Sequence, residues 1–352
     1  MKLVTFSVLG PLGPQRRLGA LAGERIVDLT TAYATYLSRA TDEPTPRELA
    51  QLRTPPDLIG WLRGQHKSRE AAEQALEWVR EAHIGSDDHG LDGARIVFDR
   101  AEVKLLAPLP RPNSLRDFSI FEEHMTRREG GGIPKRPSWY RWPTYYKGNP
   151  DSIIGPEDPI PFPNYTSKLD LELEIGIIVG RGGRNLSLEE SKQAIAGYTI
   201  LIDCSARDRA DSEFLGPTKA KDWATVLGPC MVTADEIDEA NLDVRITVDD
   251  EVWFEGNTSA PRNFLAHHLV AYASDNETLQ PGDLLGTGTV SYSCSVDLHK
   301  WPQVGQRVRF DVAGIGALEH TIVAGEQAVD YVKNGLDGLL QAPALAFAGV
   351  AV

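Results

Sequence analysis

The sequence predicts a β-rich α+β chain of two domains, and three observations point there. Short apolar and β-branched runs (Leu171–Val179, Tyr198–Ile202, Val244–Val248, Arg307–Val312) recur between turns rich in Gly, Pro and Asp, with only a few helical stretches among them. The segment Ala107-Pro108-Leu109-Pro110-Arg111-Pro112-Asn113-Ser114 carries three prolines, which favour extended backbone over helix or central strand, and it separates residues 1–105 from residues 106–352. At 352 residues the chain is long enough for two domains, each burying its own core.

In the N-terminal part, Leu3–Val8 and Arg25–Leu29 read as strands. Glu70–His83 reads as a helix because Ala71, Ala75, Leu76 and Val79 fall at helical spacing. The first residues, Met1 to Phe6, hold one basic residue and no sustained apolar stretch, so they read as a strand rather than a secretory signal. In the second part, Ser187 with Glu190 three residues on forms a capping-box pattern, and the helix it opens is expected to run to Ala196 and stop at Gly197. The apolar tail Ala342–Val352 is half the ~20 residues a membrane span needs and is interrupted by Pro343 and Gly349. It is expected to pack on the body or on a partner subunit.

With 41% hydrophobic and 24% charged residues, disordered, collagen-like and coiled-coil classes fall away. A net charge of −14 disfavours nucleic acid and anionic membrane surfaces as partners. The three cysteines, Cys204, Cys230 and Cys294, show no C-x-x-C spacing and are too few for a disulfide framework, which points to a reducing cytoplasm. Zinc motifs, G-x-S-x-G, a Walker loop and a dinucleotide-binding G-x-G-x-x-G are all absent. The glycines Gly130-Gly131-Gly132 read as freedom for a lid rather than as a phosphate loop.

The stretch Leu169–Gly180 alternates acid with aliphatic and then turns wholly apolar. On a strand, Asp170, Glu172 and Glu174 line one face while Leu171, Leu173 and Ile175 enter the other. Crowded carboxylates repel, so burying them calls for a cation; the bland alternative is an edge strand with a solvated acidic face. Asp203, where the next buried run ends, can add an oxygen ligand, and Arg207 can balance charge or grip a carboxylate, unless the two form an ordinary surface pair. Asp117 and His124 lie seven apart, a spacing that puts both on one face if the segment is helical. Oxygen ligands without Cys or His at ligand spacing select Mg²⁺, Mn²⁺ or Ca²⁺ over zinc or copper.

These segments together resemble the fumarylacetoacetate hydrolase family, metal-dependent hydrolases and decarboxylases of 1,3-dicarbonyl and 2-oxo acid compounds, over roughly residues 103–325. The run LDLELEIGIIVG (169–180) is similar to the family's paired-glutamate strand, which implies Glu172 and Glu174 as metal ligands, and GYTILIDCSARD (197–208) implies Asp203 as a ligand with Arg207 beside the site. The segment LGPTKAKDWATVLGP (215–229) implies a charge-balancing Lys221 and a nearby polar Thr225, while GDLLGTGTVS (282–291) puts Thr289 at the substrate. RDFSIFEEH (116–124) resembles the motif of longer members, with Asp117 as fourth ligand and His124 as general base. The sequence departs from the pattern at Cys204, where tryptophan is usual, and at Ala210, where some members carry a substrate-contacting glutamine. Arg127 stands where a glutamate can orient the histidine, leaving Asp297 or Glu123 for that task.

The resemblance implies a mixed β-roll catalytic domain behind a smaller β-containing N-terminal domain, a homodimer, and a keto or diketo acid substrate. It implies a Mg²⁺-dependent hydrolase, with Mn²⁺ or Ca²⁺ as alternatives, that cleaves a carbon–carbon bond in an acylpyruvate-like compound. The aromatics of Met125–Lys147 either close over the substrate or belong to the core. Rival readings are an oxaloacetate-type decarboxylase, a tailoring lyase, hydratase or cyclase with a pocket reshaped by Cys204 and Ala210, and a non-catalytic metal-binding protein.

Overall fold

The computed structural model describes residues 1–126, 137–210, 213 and 215–326. The tail Ala342–Val352, the glycines 130–132 and Arg127 therefore lie outside the described residues, as does part of the Met125–Lys147 segment. The strands in chain order are β1 (Lys2–Gly10), β2 (Gly13–Ala22), β3 (Arg25–Asp28), β4 (Val97–Asp99), β5 (Lys104–Leu106), β6 (Leu115–Phe118), β7 (Tyr145–Gly148), β8 (Ile153–Ile154) and β9 (Ile160–Phe162). They continue with β10 (Leu169–Val179), β11 (Ile195–Ala206), β12 (Thr225–Thr233), β13 (Asp243–Val248), β14 (Glu251–Asn257), β15 (Leu284–Gly286), β16 (Arg307–Val312) and β17 (Gly316–Ala324). Four helices, α1 (Leu29–Ala40), α2 (Pro46–Arg53), α3 (Leu58–Arg63) and α4 (Gln65–Glu81), pack on the N-terminal strands. The others are short: α5 (Glu122–Thr126), α6 (Pro137–Arg141), α7 (Leu188–Ala194), α8 (Arg207–Ala210), α9 (Ala266–Ser274) and α10 (Ser295–Leu298).

The strands form two sheets, which gives the mixed, sheet-rich α+β architecture that the sequence leads one to expect. The larger, of 12 strands, runs β4-β3-β2-β1-β12-β11-β10-β15-β6-β7, with β5 beside β1 and β8 beside β12. The smaller runs β14-β13-β16-β17-β9. The large sheet crosses the proline-rich segment 107–114: β1 joins β12 through the pairs Lys2↔Val232 and Leu3↔Met231. Among the described residues no helix is long and apolar enough to cross a membrane.

Strand β10 explains the position of the acids. All eleven of its residues are buried, so the reading of a solvated edge falls: β11 and β15 flank it on either side. One face, Leu169, Leu171, Leu173, Ile175 and Ile177, packs with Val244, Ile246, Val308 and Phe310 of the smaller sheet. The opposite face begins with Asp170, Glu172 and Glu174 and ends with Ile178, which packs with Leu201, Leu227 and Leu284 against Leu58, Trp61 and Leu62 of the N-terminal helices. The change along the sequence from acid–aliphatic alternation to an apolar run thus marks where the covering helices begin.

Two local expectations need correction. Helix α7 does open on the Ser187–Glu190 capping box, but it ends at Ala194 because Ile195 is already extended and starts β11. Gly197 is a strand residue rather than a stop: a Cβ there would lie 2.1 Å from the Val232 carbonyl oxygen, so close approach of β12 excludes a side chain. Asp117 and His124 do not share a helix, since Asp117 sits on β6 and His124 on α5.

Candidate active site

Strand pairing draws the acids together. Glu172 on β10 faces Asp203 on β11, and β15 lies between β10 and β6, with Gly286 opposite both Gly176 and Asp117. One oxygen each from Asp117, Glu174 and Asp203 lies within 4.8 Å of the others, and all three residues are buried. A Cβ on Gly286 would stand 2.5 Å from Asp117 Oδ1 and 2.6 Å from Glu174 Oε2, so the absent side chain is the room these oxygens occupy. Gly288 has φ +86, and a Cβ on it would meet the Phe118 carbonyl oxygen at 2.5 Å; its N–H donates to Glu174 Oε2 at 2.8 Å.

The cluster is short of positive charge. Burial pushes the Asp117 carboxyl up against the pull of Lys221. Burial, reinforced by Asp117, pushes Glu174 well above the usual carboxylate range, and burial does the same to Asp203 although Lys221 opposes it. Asp117 Oδ1 and Asp203 Oδ1 are buried with no hydrogen-bond partner among the described residues. Orphaned carboxylate oxygens facing one another, in a set made only of oxygen donors, fit a hard divalent cation.

Glu172, two residues from Glu174 on the same face, has the opposite surroundings. It takes hydrogen bonds from Arg207 and Lys221, from Thr289 Oγ1 at 2.8 Å and from Ser205 Oγ at 3.1 Å, and His124 Nε2 lies 3.2 Å away. Burial alone would raise its carboxyl, yet Arg207, Lys221 and His124 hold it well below the usual range. Lys221 bridges Glu172 and Asp203; burial would lower its ammonium, and the two acids override this. The two acids on Lys221 therefore shift in opposite directions, because Arg207 also serves Glu172 whereas Asp203 faces Asp117. Glu172 stands outside the three-acid group, and its entry into a ligand set needs exchange of these donors.

His124 is 3% exposed, with Nδ1 2.9 Å from Asp297 Oδ2. Of the two acids left open by the sequence, Asp297 is the one on the ring. Burial alone would lower the imidazole's pKa, but Asp297 and Glu172 raise it. Cys294 Sγ lies 3.7 Å from Nδ1, and His124, Glu172 and Cys294 form a second close group. Both ring nitrogens of His124 face carboxylates, and burial pushes the Cys294 thiol well up.

Asp117, Glu172, Glu174 and His124 open on a cavity of about 310 Å³, lined also by Arg207, Lys221, Thr289, Ala210 and Tyr146, with Asp203 buried behind it. Thr225, opposite Asp203 on β12, is buried but does not line it. The aromatics divide: Tyr145 and Tyr146 line the cavity, Trp139 is buried, and Tyr140 and Trp142 are exposed. Tyr146, opposite Asp117 on β7, has a buried hydroxyl without a hydrogen-bond partner among the described residues, and burial beside Asp203 pushes the phenol well up. Asp170 is the residue whose task the sequence did not disclose. It holds Arg207 Nε and the Ser295 N–H, each at 2.6 Å, and its only signal was its place on the face of Glu172 and Glu174.

The described geometry has relatives. Mitochondrial oxaloacetate tautomerase fahd2 of Xenopus laevis is 28% identical over 295 residues, covering 81% of this chain and 88% of that protein. The structure of maleylpyruvate hydrolase from Sphingobium sp. SYK-6 is 26% identical with a TM-score of 0.64, covering 92% of this chain and 100% of that one. Another structure of that enzyme, similar in fold (TM-score 0.63, 23% identity, 93% of this chain and 100% of that one), is a complex with manganese(II) ion and pyruvate. Fumarylacetoacetate hydrolase from Exiguobacterium antarcticum is 26% identical with a TM-score of 0.63, covering 92% and 99% of the two chains. Residues 117–323 match the fumarylacetoacetate hydrolase C-terminal domain, more than half of the sequence, and the chain belongs to that family.

Proposed function

We propose that this chain is a divalent-cation-dependent hydrolase that splits the carbon–carbon bond of an acylpyruvate-type 1,3-dicarbonyl acid. The observation that carries the reading is the His124–Asp297 pair beside Asp117, Glu174 and Asp203: a base held for water at the edge of a buried carboxylate cluster that has only a share of the Lys221 ammonium against its charge. Asp117, Glu174 and Asp203 would hold the cation, with Glu172 joining on release of its donors. When bound, Mg²⁺ or Mn²⁺ supplies a Lewis acid for substrate oxygens and charge to stabilise an enolate. The manganese and pyruvate of the Sphingobium complex support the same chemistry here.

Asp297 accepts from Nδ1–H and orients the His124 ring, and Nε2, which lies 3.2 Å from Glu172 Oε1 here, becomes free to take a proton from water once that carboxylate turns away from the ring. The hydroxide adds to the acyl carbonyl carbon, the tetrahedral adduct collapses to the carboxylic acid, and the bonding pair leaves as the pyruvate enolate, which is protonated at carbon. Lys221, and the Tyr146 hydroxyl with its unfilled hydrogen bond, can donate to developing oxyanions. Thr289 orders Glu172 at the cavity wall.

The Xenopus relative favours a second reading, keto–enol exchange of an oxaloacetate-type acid, which needs proton transfer but no attacking water. The test is metal-depleted protein, with and without Mn²⁺ or Mg²⁺, against acylpyruvates, β-diketones and oxaloacetate, with product analysis. Cation-dependent release of pyruvate is expected, and His124→Asn should lower it by about 10²–10⁴-fold. Unchanged pyruvate release by H124N would refute the assignment of the base; enol–keto exchange without bond cleavage would favour the second reading.

A further inference from the structure

Neither the relatives nor the ligand reading gives Asp170 a task, yet it is fully buried and holds two groups on opposite sides of His124. On β10 it lies opposite Ser205, at the closed end of the acidic face. Its Oδ2 accepts from Arg207 Nε at 2.6 Å, and another Arg207 nitrogen reaches Glu172 Oε1, the oxygen that His124 Nε2 approaches at 3.2 Å. Its Oδ1 accepts the Ser295 N–H at 2.6 Å. Ser295 opens α10, whose N-cap residue Cys294 makes no side-chain capping bond, so Asp170 does the capping from 125 positions earlier in the chain. Two residues further, Asp297 meets His124 Nδ1. One carboxylate thus reaches both nitrogens of the imidazole, by Arg207 and Glu172 on one side and by α10 and Asp297 on the other.

We propose that Asp170 is the positioning residue of the His124 base, fixing through Arg207 and the first turn of α10 the two acids that hold the ring. Its role in turnover rests on the reading of His124 as a base. The arrangement of the ring does not, and the two can be measured apart. The Asp170→Asn side chain cannot accept two N–H groups with both terminal atoms, because one of them becomes a donor. The second variant, Ser295→Pro, deletes only the α10 arm. Proline suits the first helical position, and Cys294 before it already has φ −140 and ψ 164, which a following proline accepts.

The experiment compares wild type, D170N, S295P, D297N and the D170N/D297N double variant by acylpyruvate kinetics, Mn²⁺ titration and the proton NMR signal of the His124 Nδ1–H, identified by its loss in D297N. Expected are a fall in kcat of roughly 10–100-fold in D170N and S295P, KM and Mn²⁺ affinity within about threefold, and a displaced or lost Nδ1–H signal. The double variant should be no slower than D297N, since both act on one ring. A wild-type Nδ1–H signal in folded D170N or S295P overturns the proposal, and so do losses that multiply in the double variant. Wild-type protein that displays the NMR responses but cleaves no acylpyruvate refutes the proposed reaction and leaves the positioning role standing. If D170N fails to fold, S295P alone decides.

Discussion

Gly286→Ala tests the proposed cation site with one methyl group. In place, the new Cβ would stand 2.5 Å from Asp117 Oδ1 and 2.6 Å from Glu174 Oε2, where ordinary contact begins at 3.4 Å. The two oxygens must therefore retreat by about 0.9 and 0.8 Å, or β15 must move away from its pairings with β10 and β6. Ligand positions tolerate about 0.2 Å. Even changes in groups that merely support a ligand cost roughly 10–100-fold in affinity, so displacement of two ligands should weaken Mn²⁺ binding by at least about 100-fold. The fold should survive, since a single extra methyl in a packed region costs about 1–3 kcal/mol. Calorimetric Mn²⁺ titration of wild type and G286A, with thermal melting in chelator as the check on folding, measures both. Glu174→Gln, which adds no bulk and removes a ligand charge, should weaken binding too. Folded G286A that binds Mn²⁺ as tightly as wild type would refute the placement of the cation between Asp117 and Glu174.

Lys221→Met removes the buried ammonium shared by Glu172 and Asp203. Breaking a buried pair in this way costs about 3–5 kcal/mol, so urea unfolding in chelator should lose that much stability, with a smaller loss in saturating Mn²⁺; equal loss in both would contradict charge sharing between lysine and cation. His320 reports on pH. Its Nδ1 lies 2.7 Å from the Asp158 carbonyl oxygen, its Nε2 is buried without a partner among the described residues, and burial lowers its pKa below the ordinary histidine value. Above about pH 6.5 the ring is neutral in folded and unfolded chains alike; below it only the unfolded chain readily takes the proton, so stability is lost as pH falls. His320→Asn should flatten the decline in urea midpoint between about pH 7 and pH 5.5, and an unaltered slope would count against it.

How far the sequence announced all this depends on the distance over which each contact acts. The alternation in Leu169–Val179 put Asp170, Glu172 and Glu174 on one face, as found, because side-chain direction on a strand is a local property. The seven-residue spacing of Asp117 and His124 suggested a shared helix, yet they converge from a strand and a separate short helix. Asp117 reaches the acids of β10 because β6 lies parallel to β15, some 170 residues away, and β15 pairs with β10, which no local periodicity records. Asp297 was one of two candidates for the same reason: its partner is 173 positions distant. Gly286 and Gly288 lay inside a recognised segment, but only the neighbouring strands disclose that a missing Cβ is what makes room for carboxylates.

Glu172 and Glu174 show why residue type alone could not assign their tasks. Both are buried glutamates on one strand face, and a count of acids treats them alike. Yet β11 and the residues after it bring Arg207, Lys221 and Ser205 to Glu172, whereas β6 brings another acid, Asp117, to Glu174. The first is consequently held ionised and the second is driven toward the neutral form, although the chain separates them by one leucine. This asymmetry divides the labour of the cavity. The Glu172 side gathers Arg207, Lys221 and His124 into a fixed wall, while Glu174 meets the acids Asp117 and Asp203, of which Asp203 shares the Lys221 ammonium with Glu172. A dication therefore has its strongest electrostatic reason to bind beside Asp117, Glu174 and Asp203, next to His124, whose ring Asp297 and Glu172 already orient.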